Sequence, residues 1–206
     1  MKINNKLPVY VVDDDQSVRE SLSFMLEGYD FAVTSFSDGQ AFIDNAPLNQ
    51  AGCVVLDSRM PKLRGQQVHQ QLTEVGSPLG IIFLTGHGDV PMAVEALKLG
   101  AVDFFQKPVD GDKLAAAIER ACDISRQKAL NLSAFTAYRS LTVREVEILN
   151  LVVQGKRNQQ IADEVCVAIR TLEIHKANIM KKFSAKTVAE LVMHYSAVKA
   201  LEPLSV

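Results

Sequence analysis

Three aspartates in a row, Asp13, Asp14 and Asp15, follow the apolar run PVYVV at residues 8–12. Like charges gathered so closely repel: two carboxylates about 4 Å apart cost roughly 4 kcal/mol at an effective dielectric near 20, so a cation must offset them. A hard divalent ion such as Mg²⁺ suits a carboxylate-rich site that offers neither thiolate nor imidazole. Other chemistry-bearing side chains sit at the ends of apolar runs in the same way. Asp57 ends CVVLD, Thr85 ends GIIFLT, and Lys107 follows VDFFQ. In such a set one carboxylate can attack phosphorus while a cation and a lysine neutralise the extra oxygens and a hydroxyl donates to one of them. Asp57, alone at the end of its run, is the candidate nucleophile. Taken singly, each residue has a plainer reading: a solvated turn or helix cap for the aspartates, a strand-end hydroxyl for Thr85, a loop lysine before Pro108 for Lys107. Four separate run ends carrying acid, acid, hydroxyl and amine are a pattern that chance seldom assembles.

The elements that must position these residues are legible as short β-rich runs at 8–12, 31–36, 53–57, 80–85 and 102–106. Helical patterns lie between them near 16–27, 38–45, 65–74 and 89–99, with a fifth from about 112. Strands alternating with helices predict an α/β fold with a doubly wound, five-stranded parallel sheet, and strands covered on both faces should read as continuous apolar runs, as these do. Ligands in such sheets bind beyond the carboxyl ends of the strands, where the strand order reverses. The polar run ends therefore belong to one place. His87, in TGHGD with no second His or Cys nearby, reads as an exposed loop residue.

Charge divides the chain. Residues 1–123 hold 10 Lys/Arg against 17 Asp/Glu, and residues 124–206 hold 12 against 7, so net charges of -7 and +5 combine to the overall -2. The second part thus has the sign expected of a polyanion partner. Cys53, Cys122 and Cys166 are odd in number, widely spaced and without a C-x-x-C pair, which suggests neither a disulfide framework nor a zinc site, and three reduced thiols are expected. No apolar run reaches the length of a membrane span and MKINNKL holds no apolar signal core, so the expected location is the cytoplasm, without a membrane partner.

The expected boundaries are a first unit at 1–124, a partly helical linker at 125–137, where the pattern dissolves into SAFTAYRS, and a small all-α unit at 138–206. Thr142-x-x-Glu145 and Thr187-x-x-Glu190 have the spacing of capping boxes, and Gly155 is placed to end the first of those helices. GKRNQQIADEVCVAIRTLEIHKANIMKKF reads as helix, turn, helix. In its second helix Leu172, His175, Ile179 and Phe183 form an inward stripe, leaving Arg170, Glu173, Ile174, Ala177 and Lys181 outward. Seven Lys/Arg against three acids lie between 156 and 186. Such a face suits a helix in a DNA major groove, with basic residues on phosphates and a few side chains at base edges. A solvated helix in a protein-binding bundle shares the same spacing.

VVDDD, LDSRMP and LTGHGDVPMAVEALKLGAVDFFQKP, in this order and spacing, closely resemble the receiver domain of bacterial two-component response regulators, over residues 6–123. The resemblance implies a flavodoxin-like receiver fold and phosphorylation of Asp57 by a sensor histidine kinase. It implies Mg²⁺ held by Asp13, Asp14, Asp57 and the backbone carbonyl of Arg59, with Asp15 outside that shell and expected to cap the first helix, and with Thr85 and Lys107 on the phosphoryl group. Phe104 matches the switch aromatic that turns inward when the Thr85 hydroxyl engages the phosphoryl group; on periodicity alone it reads equally as a core phenylalanine. LTVREVEIL, then N-x-x-IA, then RTLEIHKANIMKK resemble the LuxR-type helix-turn-helix of the FixJ and NarL groups, over about 138–200, and the combination points to the FixJ group. This second resemblance implies promoter DNA read by the helix at 169–182, with Arg170, Thr171, Glu173, Ile174, His175, Lys176, Ala177 and Lys181 as contacts. It also implies transcriptional control through RNA polymerase, a homodimer on phosphorylation, and a dimer contact on the last helix through Val188, Leu191, Val192 and Tyr195. Where the family has Ser-Pro opening the reader helix, this chain has Ala168 and Ile169, and alanine cannot cap.

The leading expectation is therefore a phosphorylation-activated DNA-binding regulator, with no enzymatic activity beyond self-phosphorylation and autodephosphorylation at Asp57. A Mg²⁺-dependent phosphatase of the haloacid dehalogenase type competes, because it also uses an aspartyl nucleophile. Such enzymes place a second Asp two residues later as general acid, and that position here is Arg59. A protein-interaction role for the C-terminal helices is the third alternative.

Overall fold

The computed structural model describes residues 7–86 and 90–201, so His87 lies outside the described residues. The chain divides into two compact units, Met1–Ala129 and Leu130–Val206.

The first unit runs β1 (Pro8–Val12), α1 (Gln16–Gly28), β2 (Ala32–Phe36), α2 (Gly39–Asn45), β3 (Cys53–Asp57), α3 (Gly65–Glu74), β4 (Gly80–Thr85), α4 (Val90–Lys98), β5 (Asp103–Gln106) and the start of α5 (Gly111–Arg139). All strand pairs are parallel, in the order β2-β1-β3-β4-β5. Strand order reverses between β1 and β3, the point at which this topology opens a crevice. Strand residues alternate between two apolar layers. Val9, Val11, Val55, Ile82 and Leu84 pack with Leu22 and Leu26 of α1 and Leu114 and Ile118 of α5. Tyr10, Val12, Val54, Leu56 and Phe83 pack on the other side with Phe42 of α2 and Val68 and Leu72 of α3. This double burial is why β3 and β4 read as unbroken apolar runs: every residue in both is buried.

Local chemistry sets the boundaries near the site. Asp15 caps α1, its Oδ1 accepting the backbone N–H of Ser17 at 2.8 Å and of Val18 at 3.3 Å. Gly65 opens α3 where a Cβ would stand 2.4 Å from the carbonyl oxygen of Asp57, so α3 comes this close to the end of β3 only because it starts with glycine.

The helix α5 differs from expectation. It was to become irregular within 125–137, yet it continues without a break to Arg139. Ala134 and Ala137 are buried in the core of the second unit, with Phe135 and Tyr138 packed against them. Tertiary burial, rather than the weak intrinsic preference of SAFTAYR, holds its last turns.

The second unit continues with α6 (Val143–Val153), α7 (Asn158–Glu164), α8 (Ile169–Lys182) and α9 (Val188–Leu201) around Ile148, Leu149, Ile161, Leu172, Ile179 and Val198. Thr142 and Glu145 form the expected capping box, each side chain accepting the other's backbone N–H, at 3.2 and 2.8 Å. Gly155, at φ +78°, ends α6. Its N–H reaches the Val152 carbonyl while Lys156 N–H reaches that of Leu151, the paired bonds of a Schellman motif. The second box is only half as expected. Thr187 Oγ1 accepts the Glu190 N–H, but the Glu190 carboxylate takes the N–H of Lys186.

Candidate functional site

The carboxyl ends of β1, β3, β4 and β5 bring together the residues that the sequence singled out. Asp13 is buried at the end of β1, Asp14 is exposed beside it, and Asp57 is buried at the end of β3. One oxygen from each of the three lies within 4.8 Å of the others. Lys107, following β5, stands over the same place, its Nζ 2.5 Å from Asp13 Oδ2 and 3.4 Å from Asp57 Oδ2. Its backbone N–H donates to the Thr85 carbonyl at 2.7 Å, which ties the end of β5 to that of β4.

Burial raises the Asp57 carboxyl above the ordinary carboxylate range; the Lys107 charge opposes the rise and the Asp13 charge adds to it. For Lys107, burial disfavours the ammonium, but its hydrogen bond to Asp13 and the two carboxylate charges outweigh burial and raise its pKa. The lysine therefore stays charged, and a single ammonium faces a cluster of acids. The donor set is oxygen alone, from three converging carboxylates on rigid strand ends, and it fits a hard divalent cation.

Four further contacts shape this pocket, and sequence reasoning did not single out two of the residues that supply them, Arg19 and Ser58. Arg19 of α1 donates from Nη1 to the Asp13 carbonyl at 2.8 Å, and Asp13 Oδ1 accepts the Asp15 N–H at 3.0 Å, so the first acid is held from both sides. Ser58, fully buried just after Asp57, donates from Oγ to Thr85 Oγ1 at 2.8 Å. Its only signal in the sequence is its place next to the candidate nucleophile. The Arg59 N–H makes a long 3.4 Å contact to Asp57 Oδ1. Phe104 is half-buried on β5 in register with Phe83, their ring centroids 6.4 Å apart.

In the second unit, α8 presents Arg170, Thr171, Glu173, Ile174, Ala177 and Lys181 as exposed residues, while Leu172, Ile179 and Phe183 are buried. His175, expected on the inward stripe, is half-buried. Lys176 is also half-buried and donates to Asn158 Oδ1 of α7 at 2.8 Å, so this side chain braces the two helices. Lys182, counted among the basic residues of the segment, turns away from the exposed face: its Nζ donates to Glu145 Oε2 at 2.7 Å and to the Ser140 carbonyl at 2.8 Å. Ala168 precedes α8 in extended conformation and supplies no side-chain cap, as its identity requires.

The proposed dimer contact on α9 needs correction. Leu191 and Tyr195 are buried in the core of their own unit, and the Tyr195 hydroxyl donates to Asn150 Oδ1 at 2.6 Å. Val192 is half-buried; among the described residues, Val188 and Met193 are the large apolar side chains that α9 exposes. An apolar stripe at helical spacing served the unit's own core, and two of the four named residues are spent there.

Comparison with known proteins agrees with both halves. The family model described as response regulator receiver domain matches residues 9–119, and that of bacterial regulatory proteins, luxR family, matches 139–195. The chain is 43% identical over 194 residues to the tetrathionate response regulatory protein TtrR of Salmonella typhimurium, covering 94% of each chain. It is 43% identical to the transcriptional regulatory protein FixJ of Bradyrhizobium diazoefficiens, covering 89% of this chain and 92% of that one. Among solved structures, response regulator StyR aligns with a TM-score of 0.66 at 38% identity, over 93% of this chain and 98% of the other. Full-length FixJ from B. japonicum aligns with a TM-score of 0.56 at 41% identity, over 95% and 98%. Both family matches together span most of the chain, and the chain belongs to the response regulators, DNA-binding transcriptional regulators that join a receiver domain to a LuxR-type domain.

Proposed function

We propose that Asp57 accepts a phosphoryl group from a sensor histidine kinase and that this event controls a homodimer that binds promoter DNA and acts on RNA polymerase in the cytoplasm. The observation that carries the reading is the convergence of Asp13, Asp14, Asp57 and Lys107 at the reversal of strand order. Asp57 is the nucleophile: its carboxylate ends the central strand with Oδ2 3.4 Å from the Lys107 ammonium. Asp13, Asp14, Asp57 and the Arg59 backbone carbonyl would hold Mg²⁺, which when bound supplies charge neutralisation for the acids and for an incoming phosphoryl group. Lys107 holds its ammonium on the same oxygens, and the Thr85 hydroxyl, released from Ser58, donates to the phosphoryl group. Phe104 then turns towards the space beside Thr85, and the face formed by α4 and β5 becomes the dimer surface. The chain turns over no substrate beyond its own phosphorylation and dephosphorylation at Asp57.

On α8, Arg170 and Lys181 meet phosphates, and Thr171, Glu173, Ile174 and Ala177 face base edges, with His175 and Lys176 at the margin of the contact. A dimer would place two such helices on half-sites about one helical turn apart. Phosphorylation shifts a population, so the unmodified chain retains weak binding. The test is incorporation of phosphate from acetyl phosphate with Mg²⁺, read by mass spectrometry, together with affinity for a duplex selected from a random pool. Affinity should rise on phosphorylation and fall steeply with salt. A variant Asp57→Asn that still responded to the phosphodonor would overturn the assignment.

A further inference from the structure

The loop from β3 to α3 carries a charge opposite to that of the unit it belongs to. Arg59, Lys62 and Arg64 lie within six residues and no acid occurs between Ser58 and Thr73, although residues 1–123 hold 10 Lys/Arg against 17 Asp/Glu. All three cations are exposed. Among the described residues neither Arg59 nor Arg64 has an ion-pair partner. The Lys62 contact with Asp38 spans 3.9 Å with the lysine side chain 77% exposed, so it neutralises little.

These three side chains line one open cleft of about 1300 Å³. Another part of its wall comes from α4, through Pro91, Met92 and Glu95. Glu95 is the single acid among the described residues that line it, so three cations face one carboxylate. Gln66 and Gln67, in the first turn of α3, line it as well, which brings the positive end of that helix to the cleft. None of Asp13, Asp14, Asp57 and Lys107 lines it, so it is separate from the phosphoacceptor residues.

A solvated basic loop needs no cavity, and a cavity needs no charge; the coincidence of the two narrows the ligand. Small-molecule sites run to about 300–1,000 Å³, and this cleft is at least as roomy, far larger than a lone phosphate requires. Guanidinium groups match phosphate oxygens two at a time, and Pro91 and Met92 offer apolar surface to an organic body. We propose that the cleft binds an organic polyphosphate of about nucleotide size, with Arg59, Lys62 and Arg64 on its phosphoryl groups. Such a ligand joins the β3–α3 loop to α4. Of residues 91–98 only Ala96 is buried, so α4 lies at the low end of local stability and a ligand on its first turns steadies it.

The experiment titrates the full chain with adenosine diphosphate in the absence of divalent cations, so that no ion on Asp13, Asp14 and Asp57 holds the nucleotide. Calorimetry reads binding, and amide exchange reads residues 91–98. The wild-type chain should bind the nucleotide saturably, exchange over 91–98 should slow, and inorganic pyrophosphate, which lacks the organic body, should bind more weakly. Lys62→Gln and Arg64→Gln change exposed side chains and should each weaken binding about three- to ten-fold, the loss of one charge-assisted contact in partly screened surroundings. Glu95→Gln should tighten it about two- to three-fold by removing the one repelling charge. Lys113→Gln, exposed on α5 and outside the cleft, should leave it unchanged. The proposal is overturned if about 5 mM nucleotide gives no saturable binding, which corresponds to an interaction too weak to be specific. It is equally overturned if pyrophosphate binds as tightly as the nucleotide, if Lys62→Gln and Arg64→Gln bind as the wild type does, or if Lys113→Gln weakens binding as much as they do. Phosphorylation of Asp57 enters none of these measurements, so the result stands apart from the assignment of the phosphoacceptor.

Discussion

Glu145 is the buried acid to which α8 is anchored through Lys182, and its removal should be costly in a way that can be calculated. Its carboxylate accepts the Thr142 N–H at 2.8 Å, the Thr142 hydroxyl at 3.1 Å and the Lys182 ammonium at 2.7 Å, with only 5% of the side chain exposed. Glu145→Ala removes half of the α6 capping box, about 1 kcal/mol. It also removes a charge-assisted hydrogen bond, about 1.5–3 kcal/mol, for which the low end applies because Lys182 is 30% exposed. Together these give about 2.5 kcal/mol, and at roughly 4–8 °C per kcal/mol for a unit of this size the transition should fall by about 10–20 °C. Calorimetry on the full chain, with amide exchange to assign the transition to residues 130–201, measures this. Lys182→Met should lose about 1.5 kcal/mol, and the double variant should cost less than the sum of the two single ones, since the shared bond is counted once. Burial alone would raise the Glu145 pKa, but Lys182 and Thr142 outweigh burial and lower it. A lowered carboxylate contributes stability above its unfolded pKa, near 4.3, and loses it as pH falls through the folded value; Glu145→Gln should flatten that part of the profile. If Glu145→Ala and Lys182→Met each shift stability by less than about 0.5 kcal/mol, the clamp is not an energetic feature of the unit.

Four further outcomes follow from the same geometry. Ala168→Ser should stabilise the second unit by about 1 kcal/mol in the same calorimetric assay, because the extended residue before α8 supplies no side-chain acceptor; no change would show that water or another group already satisfies the helix end. Lys181→Ala should weaken binding to all DNA sequences alike and reduce the slope of log affinity against log salt by about 1, whereas Glu173→Ala should relax preference at one base pair with little change in overall affinity; selection and titration on both variants distinguish the roles. Ser58→Ala removes the donor to Thr85 and should make phosphate-free association easier by about two- to five-fold, as measured by sedimentation. Burial holds the His69 imidazole below its ordinary pKa and the nearby Lys128 charge adds to this, against the hydrogen bond to Leu99. A depressed base binds fewer protons folded than unfolded, so its stability is present above about pH 6.5 and declines as pH falls below that; the first unit's melting temperature should drop on acidification, and less so in His69→Leu.

The receiver sheet was legible because its physics leaves a direct mark. Strands covered on both faces must be apolar at every position, and β3 and β4 are; the polar residue that ends such a run must lie at the rim. Asp57, Thr85 and Lys107 could thus be placed at one end of one sheet before any strand order was known. Asp15 was set apart from Asp13 and Asp14 by the family resemblance, and its place in the chain agrees. An aspartate immediately before a helical pattern is needed by orphan N–H groups, and Ser17 and Val18 take it.

What stayed hidden was everything decided by partners distant in the chain. Ser58 is one residue among many serines until the sheet brings Thr85 within 2.8 Å of it. The α9 stripe of Leu191, Val192 and Tyr195 has the phase of a core face and of a dimer face alike, and only the packing of α6 against it turns Tyr195 inward to Asn150. Lys181 and Lys182 make the point most sharply. Both are basic, both lie in the last turn of α8, and both were counted towards a DNA-facing surface, yet successive residues on a helix point about 100° apart. That rotation leaves Lys181 exposed and sends Lys182 to a carboxylate 37 residues earlier. A local pattern gives the phase of a side chain; whether that phase faces solvent or a buried acid is settled by the element packed against it. The 12 Lys/Arg of the second part of the chain therefore overstate the cations offered to a polyanion, because Lys182 is held within the fold by Glu145 and Lys156 by Glu164, two of the acids that the net charge of +5 already counts.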